Sequence, residues 1–101
     1  MSSSAANLHP PHARNVTVSG HSISVDLVDG RTVTAPVSWY PRLSHATRAE
    51  RDNWRLIGQG EGIHWPDLDE DIAVEALLSG SPSGESQVSL QKWLQERSEA
   101  R

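Results

Sequence analysis

The stretch from Gly62 to Asp71, GIHWPDLDED, gathers one histidine, one tryptophan and four acids. Such side chains can bind a metal, move protons or shape the start of a helix. Asp67, Asp69 and Asp71 are spaced like the opening ligands of a calcium loop, but that loop needs a glycine at its sixth position and a bidentate glutamate at its twelfth. Ile72 and Leu78 stand there, so the calcium reading fails. His64 with Asp67 and Asp69 is still a candidate zinc or manganese set, because imidazole and carboxylate are ordinary ligands of both ions. The competing reading is structural: Pro66 fixes a turn, and acids just ahead of a helix suit its positive end. Acid–base catalysis requires two carboxyls in unlike environments, whereas Asp69, Glu70 and Asp71 at an exposed helix start would share one.

Other catalytic patterns are missing from the chain. Ser38, Ser44 and His45 supply nucleophile and base types without a G-x-S-x-G elbow. GQGEG lacks the G-x-x-x-x-G-K-[ST] spacing and the lysine of a phosphate loop. No cysteine is present, which rules out thiolate nucleophiles, thiolate zinc sites and disulfides. The expectation is a protein without cofactor and without catalytic residues.

A chain of 101 residues fits one small domain, and a domain of this size buries only about two-thirds of its unfolded surface, leaving little room for a deep cavity. The net charge of -4, with Lys92 as the single lysine, disfavours direct nucleic-acid binding, which needs a clustered basic face. No apolar run approaches the roughly 20 residues of a membrane span, and the Ser/Ala/His/Pro start lacks the apolar heart of a signal peptide. A cytoplasmic protein without membrane contact is expected.

Residues 1–14 are small and polar, with Pro10 and Pro11 adjacent, and are expected to form a disordered tail. A compact domain is expected over residues 15–80. Val16 and Val18, then Ile23, Val25 and Leu27, then Val33, Ala35 and Val37 alternate with polar residues, the period of half-buried strands. With Asp29-Gly30 as a tight turn, they predict a three-stranded antiparallel meander that ends near Pro36. Thr47 and Glu50 have capping-box spacing and predict a helix through Trp54, its inward anchor. RLIGQGEGIHW predicts one further strand, with glycines marking bulges or close backbone approach. A short helix is then predicted from an Asp71 N-cap, with Leu77 and Leu78 facing inward and Gly80 as its stop. The fold class is thus α+β in the order β-β-β-α-β-α. Residues 81–87 read as a flexible connector. Residues 88–99 read as an appended amphipathic helix in which Leu90, Trp93, Leu94 and Arg97 fall at i, i+3, i+4 and i+7.

The segment from Asp29 to Leu78 carries a D-G-R hairpin, the run P-x-x-W-Y-P-R-L and the corner W-P-x-L-D-E-D-I. In these pieces it resembles the prokaryotic domain-of-unknown-function family numbered 2442, over roughly residues 15–80. The resemblance implies a compact α+β domain, often encoded beside a second small protein in a pair that looks like a toxin–antitoxin module. It brings no catalytic residues. Some longer relatives carry a helix-turn-helix domain, for which the single helix after Gly84 leaves no counterpart.

Two sets of residues then become candidates for partner binding. Trp39, Tyr40 and Arg42 lie on a connection, where function concentrates; they are either bulky core or an aromatic groove of the kind that anchors interfaces. Leu90, Trp93, Leu94 and Arg97 either pack on their own sheet or are covered by another chain, in a groove or in a symmetric pair. The expected function is a non-enzymatic interaction or regulatory module, antitoxin-like, whose partner is a small protein encoded nearby or a second copy joined through the C-terminal helix. The alternative is a small-molecule or metal site at His64, Asp67 and Asp69.

Overall fold

A computed structural model describes residues 11–99. The tail expected over residues 1–14 lies, for residues 1–10, outside the described residues, and the first strand already begins at Ala13.

Strands β1 (Ala13–Val18), β2 (Ser22–Leu27) and β3 (Thr32–Pro36) form an antiparallel sheet in that order. Period-two alternation buries Val16, Val18, Ile23, Val25, Leu27 and Ala35 on one face. On the other, Ser24 and Thr34 are cross-strand partners joined through their hydroxyls at 3.0 Å. The β2–β3 hairpin turns at Asp29-Gly30, where Gly30 takes φ 97° and the Asp29 carboxylate accepts the Arg31 backbone N–H.

A 3₁₀ turn at Val37–Trp39 leads into α1 (Pro41–Ser44), a single turn with proline at its first position. Helix α2 (Arg48–Asp52) starts on the expected capping box: the Thr47 hydroxyl accepts the Glu50 N–H while the Glu50 carboxylate accepts the Thr47 N–H. Arg51 ties the two helices together by donating to the carbonyls of Leu43 and Ser44, each at 2.9 Å.

The segment after Trp54 differs in detail from the expectation. Where one strand was expected, the chain forms β4 (Arg55–Ile57) and β5 (Gly62–Trp65) around a turn at Gly58–Gly60. The N-cap assigned to Asp71 is overturned, because Asp71 lies inside a third strand, β6 (Glu70–Ala73), and the three strands make a second antiparallel sheet. The cause is register: Asp69 adopts φ 51°, closes the turn after Pro66, and sets Glu70, Asp71, Ile72 and Ala73 opposite Trp65, His64, Ile63 and Gly62. Gly60 holds the sheets close, for at φ 99° an added Cβ would lie 2.5 Å from the Ala13 carbonyl oxygen.

Helix α3 (Val74–Ser79) starts only after that strand, without a side-chain cap, and stops at Gly80 as expected. Gly80 takes φ 75°, while the Gly80 and Ser81 N–H groups bond back to the Leu77 and Ala76 carbonyls. Leu77 is buried, but Leu78, expected inward, is 40% exposed. Residues 81–86 lead to α4 (Gln87–Glu99), where the Ser86 hydroxyl accepts the Ser89 N–H as an N-cap.

The interior lies between the sheets and is wholly apolar in character. Trp65, Ile63, Leu68, Val74, Leu43 and Ile23 are fully enclosed, and no polar or charged residue is buried among the described residues. Trp54 is half-buried against this core, and Trp65 is its largest member. Among the described residues no helix is long and apolar enough to cross a membrane.

Candidate functional site

The two sets of residues singled out for partner binding meet each other. As the chain leaves α3, the Ser83 N–H donates to the Trp39 carbonyl at 3.0 Å. Two residues on, Glu85 receives Arg42: Nε lies 3.0 Å from both carboxylate oxygens, and Nη2 lies 2.7 Å from Oε2. Arg42 also donates from Nη1 to the Leu68 carbonyl at 2.8 Å, so one guanidinium ties α1, the turn before β6 and the connector together. Both side chains of this pair are largely shielded, at 16% and 11% exposure. The Ser89 hydroxyl donates to Glu85 from the first turn of α4.

Further along α4, Leu90 is buried and Trp93 and Leu94 are half-buried. Two cations lie over the Trp93 ring, with Arg42 Cζ 5.1 Å and Arg97 Cζ 4.6 Å from its centroid. Arg97 in turn donates both terminal nitrogens to Glu50, at 2.9 and 2.8 Å, so the capping residue of α2 also clamps the far end of α4. The hydrogen bonds from Arg97, above all, hold the Glu50 carboxyl down from its ordinary 4.5 to about 2. Those from Arg42 likewise lower Glu85.

Next to this clamp sits Glu70, whose carboxyl is pushed up to about 7, chiefly by burial, with Glu85, Asp71 and Asp69 adding to the rise and Arg42 opposing it. Tyr40 is core rather than groove: it is 3% exposed, and its hydroxyl is buried without a partner among the described residues. Burial first and Glu70 second raise its pKa.

The metal set is not assembled. His64 pairs through Nδ1 with Asp71 across the β5–β6 ladder, Asp67 accepts from the Asn53 amide at 3.0 Å, and Asp69 is spent on the turn. Among the described residues, no group of three or more His, Cys, Asp or Glu side chains is placed to hold a metal ion.

Sequence reasoning found the arginines and aromatics of the clamp but missed its acids. The sequence shows Glu50 as a cap and gives no mark to Glu85. The single solvated environment expected for Asp69, Glu70 and Asp71 at a helix start is overturned, because Glu70 is half-buried in β6 while Asp69 and Asp71 are exposed. The one available signal was charge complementarity between a basic-aromatic segment and the acids flanking an amphipathic helix.

No protein of curated function matches the sequence. Two solved structures share the fold. A crystal structure of a protein of unknown function from Rhodospirillum rubrum is 26% identical, covers 81% of this chain and 99% of its own, and superposes with a TM-score of 0.65. A solution structure of an uncharacterised protein from Chromobacterium violaceum is 22% identical over 85% of this chain and 75% of its own, with a TM-score of 0.62, and bears on the fold alone. The model of the family described as "Protein of unknown function (DUF2442)" matches residues 13–83, both sheets and the first three helices but not α4, and the chain belongs to that family.

Proposed function

We propose that this chain is a non-enzymatic protein-interaction and regulatory module, the antitoxin-like half of a two-gene pair, which engages a small protein partner through α4 and the Trp39–Arg42 segment. The observation that supports this reading is how α4 is held. One residue of the helix, Leu90, is buried, and Trp93 and Leu94 are half-buried; beside them the attachment is two arginine–carboxylate clamps whose arginines lie over the Trp93 ring. Domain interiors are sealed by contiguous apolar area, whereas interfaces that form and separate mix aromatic anchors, arginine and a polar surround. A partner carrying its own carboxylate and aromatic side chains can pair with Arg97 and Trp93 of α4 and with Arg42 once the clamps part, without opening the core.

The test compares the full chain with the chain ended after Gly84, each used to recover partners from the native host. One stoichiometric small protein should accompany the full chain and be lost on truncation, while the shortened protein keeps a cooperative melt. Equal partner binding by the shortened protein refutes the assignment to α4.

A further inference from the structure

We infer that α4 is a proton-sensitive latch, in which the carboxylates of Glu70 and Glu85 compete for the one guanidinium of Arg42. Arg42 turns its Nε and Nη2 toward Glu85 and its Nη1 toward the Leu68 carbonyl. That last bond fastens the guanidinium to the turn leading into Glu70, at the head of β6. Glu70 is half-buried there and makes no ion pair or side-chain hydrogen bond among the described residues. The groups that face it are Tyr40 and Arg42 from α1 and the residue before it, Glu85 from the connector, and Asp69 and Asp71 from its own turn and strand. Asp71 is itself paired with His64 of β5. Among the described residues, Arg42 is therefore the cation that both carboxyls of the cluster can use.

With Glu70 protonated, Arg42 has Glu85 as its one charged partner, and the arm stays docked. Ionised Glu70 repels Glu85 and becomes the natural partner of Arg42 once the arm has left. Release removes Glu85 and frees Arg42 for Glu70, so the proton on Glu70 is held more tightly in the docked form. A carboxyl raised in one state favours that state at low pH and ceases to favour it as the pH climbs through the raised value. Docking thus weakens as the pH rises through about 7. The opposite limb belongs to Glu50 and Glu85, both lowered by their arginines. Their contribution is complete above the ordinary 4.5 and is lost as Glu50 is protonated on the way down to about 2. Docking is bell-shaped in pH, and Glu70 owns the alkaline limb.

The use of such a latch rests on the interaction reading above, but its test does not, because docking is read without any partner. In the full chain, the α4 amide and Trp93 indole NMR signals are followed from about pH 5 to about 8, with Arg42→Ala as the reference for a loose arm. Each unit of difference between the docked and released Glu70 pKa changes the docking constant about tenfold. The wild-type signals should move toward the loose reference as the pH rises, and Glu70→Gln, an isostere of the protonated acid, should hold them in place. A wild type that does not respond, or a Glu70→Gln protein that responds equally, overturns the proposal. A second readout uses no Glu70 variant: the midpoint of the Glu70 carboxyl carbon should fall in Glu85→Gln, and an unchanged midpoint overturns the proposal too.

Discussion

The space between the two sheets and the seat of α4 are built from opposite materials. Between the sheets, Trp65, Ile63, Leu68 and Val74 are sealed from water, and no polar residue is buried among the described ones. Under α4, one leucine is buried, Trp93 and Leu94 are half-buried, and carboxylate–guanidinium pairs complete the attachment. Burial of apolar area has no charge to titrate, whereas an ion pair depends on the protonation of both partners and, where exposed, on salt. The same chain therefore carries an interior with no buried charge among the described residues and an arm held by groups that titrate. The strongest way to break the body is Trp65→Ala. That side chain is fully enclosed and also donates its indole N–H to the Arg51 carbonyl at 3.0 Å, so truncation should cost about 3–5 kcal/mol. Against a typical native stability of about 5–15 kcal/mol, urea unfolding should show a midpoint shift that carries sheets and arm together.

Breaking the arm should look different. Arg42→Ala removes the fork to Glu85, the bond to the Leu68 carbonyl and one of the two cations over the Trp93 ring, and it leaves a shielded carboxylate unpaired. Docking should weaken by about 2–4 kcal/mol. Amide hydrogen exchange separates the two regions: protection should vanish along α4 and persist in β2 and β5. Protection lost in both regions alike would mean that arm and body form one cooperative unit, and the distinction between them would fall.

The same division explains what could be read in the sequence. Sheet one was legible because one wet face and one dry face leave alternation in Ile23, Val25 and Leu27. The capping box was legible because its two partners are three residues apart. Strand β6 was not, since Glu70 to Ala73 carry residues that also suit a helix start, and its pairing is set by the positive φ of Asp69 upstream. The clamps were invisible for a simpler reason: Arg42 and Glu85 are 43 positions apart, and Glu50 and Arg97 are 47. No local periodicity records a pair that only the folded chain brings together, so Arg42 and Arg97 stand out in the sequence without their carboxylate partners, and α4 is as readily free as docked on the sequence alone.

The smallest change sharpens the comparison at the border between the two regions. Tyr40 precedes α1, with its ring in the apolar interior and its hydroxyl, near Glu70, buried without a partner among the described residues. A buried hydroxyl left unpaired costs desolvation and returns nothing, so its removal relieves a penalty rather than breaking a bond. Tyr40→Phe keeps the ring and should change stability by no more than about 1 kcal/mol, in the stabilising direction. Thermal melts of the two proteins measure this directly. A loss of more than about 1 kcal/mol would show that the hydroxyl is satisfied in solution, through Glu70 or an ordered water. The polar cluster around Arg42 would then reach into the body, and the alkaline limb assigned to Glu70 should shift in the same variant because Tyr40 would be its hydrogen-bond partner. No shift in that limb and a slightly higher melting temperature would place the border between body and arm at the Tyr40 ring.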